Sequence, residues 1–201
     1  MKKLDAGEGQ TPLPDISGLI PKHIFTKEAL DRAEFANVSK ILPKYFLKNP
    51  SDRIAPFNFK WFLKLHEEMF GDVWDWAGKL RRHALNLGIE PAKIASELHA
   101  VQAGLRQWEG PKIDPLETAV WLHYKLVWIH PFAGGNGRWA RMAANIYLRK
   151  RELPLILWPE DRLTIQGVIR DAYIAALRKA DQGDLGPLVD LHKQYWAKGE
   201  Q

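Results

Sequence analysis

The chain has 201 residues, 46% of them hydrophobic with nine Trp, eight Phe and five Tyr, which is enough apolar side chain for one well-filled domain and too little length for two. Twenty-nine Lys and Arg against 24 Asp and Glu leave a net charge of +5, a mild excess that keeps phosphate ligands in view but carries no basic tail, so direct nucleic-acid binding is not expected. The absence of cysteine excludes disulfides, thiolate metal sites and cysteine nucleophiles, and no signal-like or membrane-length apolar run occurs, so a cytoplasmic protein without membrane contact is expected.

Residues 1–22, rich in Gly, Pro and Asp, read as an extended arm anchored by "GLIPKHI", ahead of a domain spanning 23–201. Thr26 is an N-cap candidate for a first helix whose apolar stripe reaches Pro43. In "NFKWFLKLHEEMFGD", Phe59, Phe62, Leu63, Leu65, Met69 and Phe70 recur at three- and four-residue steps, giving a second helix closed by Gly71. "VWDWAGKLRRHALNLGIEP" loses that period and reads as a loop holding a short hairpin with "LNLG" at its tip.

From Pro91 to Trp108 a helix is expected with Ile94, Leu98, Val101 and Leu105 along one edge. Asp114, Pro115 and Glu117 then combine an N-cap, a proline at the first helical position and an acid at the third, opening a helix so dense in apolar residues that it belongs at the centre. It stops at His130, because Pro131 disfavours the α conformation for the residue before it. Helix resumes over 138–151, "LPLILWP" is a strand or a buried connector, and two helical stretches separated by Gly186-Pro187 fill residues 159–196. The sum is a mostly helical bundle.

The stretch "HPFAGGNGRWAR", His130 to Arg141, concentrates the chemistry. It joins two helices, so "PFAGGNG" lies at a helix N-terminus, where unpaired N–H groups and the macrodipole favour an anion. Gly134, Gly135 and Gly137 let the backbone approach a ligand closely and take positive φ. Arg138 and Arg141, three apart on one helical face, suit the oxygens of a di- or triphosphate. An imidazole near its ordinary pKa at His130 suits the general base of phosphoryl or nucleotidyl transfer, and Asn136 is placed either to bond a phosphate or to cap the helix. His66, His83, His99, His123 and His192 show no metal-ligand spacing. Tyr173 and Leu177 are read as core residues, with a nucleobase pocket as the alternative.

This stretch resembles the signature of Fic proteins, His-x-Phe-x-acid-Gly-Asn-Gly-Arg-x-x-Arg, at His130, Phe132, Gly135, Asn136, Gly137, Arg138 and Arg141, seven of the eight specified positions. The likeness runs from "LHEEMFGDVWDWAGKLRR" to "YIAALRKADQGDLGPLVDL", and "TPLPDISGLIPKHI" looks like the subgroup called mobile mystery protein B. The resemblance implies an all-α bundle with a short β-hairpin flap, transferring AMP from ATP to a Ser, Thr or Tyr hydroxyl of a target protein. His130 would be the base and Gly135, Asn136 and Gly137 the anion hole, with Asn136 also on the α-phosphate. Arg138 and Arg141 would hold the outer phosphates, and Phe132 would pack the motif. The flap, about residues 80–91 and including Ala84, Leu85, Asn86 and Leu87, would align the target chain by strand addition. Mg²⁺ on the phosphates is expected, yet the family's metal-holding acid is Gly134 here, so its protein ligand is missing.

Family members are often restrained by a glutamate in a Ser/Thr-x-x-x-Glu-Gly/Asn string; Glu34 is followed by Phe35 and Glu109 lacks the upstream hydroxyl, so a separate inhibitory partner protein is the expected restraint. Two rival readings stand beside transfer. Gly134 points to a catalytically silent nucleotide-binding module, and "GNGRWA" flanked by "KLVWI" and "LPLILW", with Glu160 or Asp161 beyond, fits a dinucleotide-binding unit if those segments are strands.

Overall fold

A computed structural model describes residues 16–108, 113–164 and 167–197. The described residues form eight helices and no β-ladder: α1 (Lys27–Phe46), α2 (Phe59–Phe70), α3 (Ile94–Trp108, entered through a 3₁₀ turn at Pro91–Lys93), α4 (Pro115–Ile129), α5 (Asn136–Lys150), α6 (Glu160–Thr164), α7 (Val168–Asp181) and α8 (Gly186–Gln194). The all-α expectation is met.

Local chemistry accounts for the helix starts. The Thr26 hydroxyl accepts from the Ala29 amide at 3.2 Å, Asn58 Oδ1 from Trp61 N at 2.9 Å, and Asp114 Oδ1 from Leu116 N at 2.8 Å. α1 differs from its expected end: it runs through Pro43 to Phe46, because a proline near a helix end breaks few hydrogen bonds and Leu47 N still bonds Pro43 O. In α3 the buried residues are Ile94, Leu98, Val101 and Leu105, the edge expected from the period.

α4 is the centre of the bundle. It packs most extensively on α5 and also meets α3, α7 and α8. Its Leu116, Ala119, Val120, Leu122, Leu126 and Ile129 are fully buried. On the other side α2 packs on α1, α3 and α5, and its Phe62 and Phe70 join Trp139 and Phe132 in an aromatic core. Burying four such rings is the main apolar driving force around the signature stretch, at roughly 25 cal/mol for each Å² removed from water.

"LPLILWP" is a connector that meets the C-terminal end through an isolated bridge between Ile156 and Trp196 and through the Trp158 ring packed on His192 and Tyr195. Gly186-Pro187 lies inside the first turn of α8 and does not separate two helices. Of the N-terminal arm, residues 1–15 lie outside the described residues, while Leu19 is buried and bridges Trp74, with Ile20 N bonded to Val73 O at 2.9 Å. Within "GLIPKHI", Leu19 and Ile24 are buried against the helical body. No described helix is long and apolar enough to cross a membrane.

Candidate active site

His130 closes α4 in the left-handed conformation, φ 51° and ψ 61°, and Pro131 follows. Its Nδ1 lies 3.3 Å from the Val127 carbonyl; a carbonyl only accepts, so Nδ1 carries the proton and Nε2 keeps its lone pair. Burial holds the imidazole pKa below the ordinary histidine value; the Val127 bond opposes that shift and the nearby Arg81 charge reinforces it. A neutral ring with a free Nε2 is the form a general base requires at pH 7.

Six residues later α5 begins, with Gly135 as its N-cap at φ 71°. A Cβ at Gly135 would stand 2.7 Å from the Phe70 ring, so both the backbone angle and the space demand glycine. Gly134 and Gly137 have no positive φ, so the nest of three turned glycines reduces to one. The first-turn amides of Asn136, Gly137 and Arg138 precede any intrahelical acceptor and present a positive helix end.

Asn136 is neither the cap nor free for a phosphate in the way the sequence allowed. It is buried, its Oδ1 accepts from Phe132 N and its Nδ2 donates to Phe132 O, both at 2.9 Å. These paired bonds staple the loop shut. Phe132 is itself fully buried, stacked on His66 with ring centroids 3.6 Å apart.

His66 is a residue that sequence reasoning passed over. The Gly78 amide donates to its Nδ1 at 3.0 Å, so its Nε2–H must donate to the Gly134 carbonyl, also at 3.0 Å. The ring thus joins α2, the turn before the flap and the signature loop. Burial pushes its pKa down to about 3 against an ordinary 6.5, and that of buried His192 to about 4. Folded His66 stays neutral in this range while the unfolded chain takes a proton below pH 6.5, so its stability contribution is complete above pH 6.5 and lost as pH falls. Thermal denaturation is expected to show Tm falling steadily between pH 7 and pH 5, with about 2 kcal/mol of stability lost at pH 5 through His66 alone.

Both arginines are engaged by carboxylates. Arg138 Nη2 pairs with Glu34 Oε2 at 2.7 Å and its guanidinium lies 4.8 Å from the Phe70 ring centroid; Glu34 also accepts from Trp74 Nε1 at 2.6 Å. Arg141, 6% exposed, makes a two-point contact with Glu160, Nε to Oε1 at 2.7 Å and Nη2 to Oε2. A Cβ at Gly137 would meet Arg141 Nη1 at 3.2 Å, so this guanidinium lies back over the first turn of α5. Behind it Tyr173 hydrogen-bonds Arg141 and His123, His123 bonds His192, and His192 Nδ1 donates to Leu188 O at 2.7 Å. With both rings neutral the protons are assigned by elimination: His123 Nδ1 donates to His192 Nε2, and the Tyr173 hydroxyl donates to His123 Nε2. Tyr173 is a core residue with a purpose, backing Arg141.

Arg138, Arg141, Glu160, Asn145 and Trp158 help line a cavity of about 960 Å³ between α1, α5 and the segment after α5. A nucleotide fits that volume. No local string reveals Glu34, because its contact crosses from α1 to α5, and Glu160, a ribose-binding candidate by sequence, pairs with Arg141.

The flap departs from expectation. Residues 79–90 contain bends and no paired strands, because their carbonyls are satisfied from within: the Arg81 guanidinium donates to His83 O and Ile89 O, bonds that a hairpin ladder would otherwise supply. Ala84, Leu85, Asn86 and Leu87 are all exposed at its tip, Leu87 by 67%. The dinucleotide reading fails, since "KLVWI" is the last part of α4 and no parallel sheet exists among the described residues.

With this geometry in hand, comparison with known proteins is direct. The sequence model of the Fic/DOC family matches residues 56–148, which hold α2, α3, α4, most of α5 and the whole signature stretch. A curated relative, protein adenylyltransferase fic-1 of Caenorhabditis elegans, is 32% identical over 132 residues, covering 63% of this chain and 25% of the relative. The fold matches Fic-1 from C. elegans with a TM-score of 0.67 at 26% identity, over 88% of this chain and 51% of that one. It also matches the BepC effector of Bartonella tribocorum with bound AMPPNP, TM-score 0.64 at 18% identity, over 88% and 90% of the two chains. The segment 56–148, which carries the signature stretch, thus matches the Fic/DOC family. The chain spans only about a quarter of the length of the curated relative.

Proposed function

We propose that this protein is a Fic-type adenylyltransferase that moves AMP from ATP to a Ser, Thr or Tyr hydroxyl of a target protein. The observation that carries the reading is His130: its Nδ1–H is committed to Val127 O, so Nε2 is free as a base beside the N-terminal end of α5. The curated relative's name, protein adenylyltransferase, and the AMPPNP held by the BepC structure support both the reaction class and ATP as substrate.

The chain's own residues supply the following chemistry. Nε2 of His130 removes the proton of the target hydroxyl as its oxygen attacks the α-phosphorus. The bond from that phosphorus to the bridging oxygen breaks, and pyrophosphate leaves with the electron pair. The first-turn amides of α5 receive charge at the α-phosphate, and Arg138 and Arg141 receive the outer phosphates. To do so the phosphates displace Glu34 and Glu160, which now neutralise those guanidiniums. That competition restrains the site from within the chain; a separate inhibitory partner would act in addition to it. A cysteine-free chain fits the reducing cytoplasm, and the anchored "GLIPKHI" arm supports placement in the mobile mystery protein B subgroup.

The residues at the loop do not fit Mg²⁺ as protein ligands. Gly134 offers no carboxylate, and no group of three or more His, Asp or Glu suited to a metal exists among the described residues.

The experiment is incubation of the purified chain and lysate with ATP labelled on the α- or the γ-phosphate. Protein labelled from the α position alone supports transfer; no label from either, with nucleotide still bound, overturns it. The second reading, a silent nucleotide-binding module, is favoured by Gly134 alone. A Cβ there would sit 3.1 Å from Trp76, close enough that the indole must give slightly. Gly134→Asp is therefore expected to fold with a small loss in Tm and to gain a Mg²⁺-dependent increase in nucleotide affinity, of about tenfold for one added carboxylate ligand. Isothermal titration with and without Mg²⁺ checks it.

A further inference from the structure

Four hydrogen bonds converge on Arg81, a residue 8% exposed that the transfer chemistry does not touch. Its Nε donates to the His130 carbonyl at 2.7 Å, Nη1 to the His83 carbonyl at 2.9 Å and Nη2 to the Ile89 carbonyl, while its backbone amide donates to the Pro131 carbonyl at 2.9 Å. His83 and Ile89 stand on the two sides of the exposed segment Ala84–Leu87. One side chain therefore grips both limbs of the flap and the backbone of the base.

Two further observations show that this contact is tight. Gly88, at φ 91°, lies so close that a Cβ would collide with the His130 Cβ and come within 2.8 Å of Arg81 Nη2. His130 itself holds a left-handed conformation that a residue with a side chain adopts only when its surroundings impose it. The guanidinium bond to its carbonyl is one such constraint, because it sets the direction of that peptide plane. Only arginine offers three donors in a planar fork at this spread; lysine offers a single point.

We infer that Arg81 is the positioning residue of this site, holding the His130 backbone and both limbs of the flap as one rigid unit, so that a target chain lying on Ala84–Leu87 is placed in register with the imidazole. The inference rests on the proposed role of His130 as base. It makes the flap a clamp built on a side chain where a β-ladder would otherwise serve.

The test uses Arg81→Lys, Arg81→Gln and Gly88→Ala in the full chain, with three readouts. In wild type, ¹⁵N NMR of the imidazoles is expected to show His130 protonated at Nδ1, and hydrogen exchange to show a protected Ile89 amide. Arg81→Gln and Gly88→Ala are expected to mix the His130 tautomers and to expose that amide, with ATP affinity within about twofold of wild type. Label transfer from α-labelled ATP should fall about 10²-fold in kcat, the loss typical of a reacting group displaced by about 1 Å. Arg81→Lys should recover most of the Tm but not the kcat. Unchanged His130 signals and Ile89 protection in a folded Arg81→Gln protein would overturn the inference, as would full recovery of transfer in Arg81→Lys. Because the NMR and exchange readouts need no turnover, a wild type that transfers no label would defeat the adenylyltransferase reading while leaving this one to be decided on its own evidence.

Discussion

Replacing His130 with Ala is expected to lower AMP transfer by about 10²- to 10⁴-fold, the range a positioned general base supplies, while ATP binding stays within about twofold of wild type. The split follows from the geometry. The imidazole closes α4 and, among the described residues, its side chain bonds only the Val127 carbonyl, whereas the groups proposed to face the phosphates belong to α5. Removing the ring therefore deletes the proton acceptor and leaves the anion site standing. Single-turnover labelling beside a nucleotide titration measures both quantities on one preparation. Comparable labelling by the Ala variant would remove His130 from the mechanism.

The second large effect concerns the two ion pairs, and there the sign depends on which partner is changed. Arg141→Ala is expected to weaken ATP binding by about two to three orders of magnitude, the cost of removing one side of a buried charge-assisted contact. Glu160→Gln should act in the opposite direction, tightening ATP about tenfold, because the phosphates would no longer have to displace a two-point carboxylate from Arg141. Glu34→Gln should do the same, more weakly, through Arg138, whose guanidinium also keeps its contact with Phe70. Arg141→Ala should lower Tm as well, since the buried Tyr173 oxygen, which donates its proton to His123, would lose the guanidinium that donates to it at the head of the chain through His123 and His192. Affinity moving the same way for Arg141→Ala and Glu160→Gln would show that the pair is structural and that phosphates bind elsewhere.

Much of this protein is written in short stretches of its sequence. Thr26, Asn58 and Asp114 announce helix starts by side-chain chemistry that reaches only two or three residues, and the buried edge of α3 follows from a repeat within a few turns. The signature loop is legible for the same reason. The stop of α4 before Pro131, the positive φ of Gly135 and the two arginines three apart on α5 are properties of a dozen consecutive residues.

What only the tertiary structure decided is how that loop is held and charged. Glu34 reaches Arg138 from another helix, Glu160 reaches Arg141 from beyond the end of α5, His66 joins Gly78 to Gly134, and Arg81 replaces the expected hairpin with a clamp. None of these pairs has a spacing that a helix or strand period could reveal. Their partners meet because the aromatic core brings α1, α2 and α5 together, and only in that buried setting does a carboxylate become the obligatory companion of an arginine and a histidine the carrier of two backbone bonds. Capping, periodicity and loop chemistry are local and can be read in order along the chain. Which carboxylates pair with Arg138 and Arg141, and what holds the His130 backbone, are properties of the packed molecule.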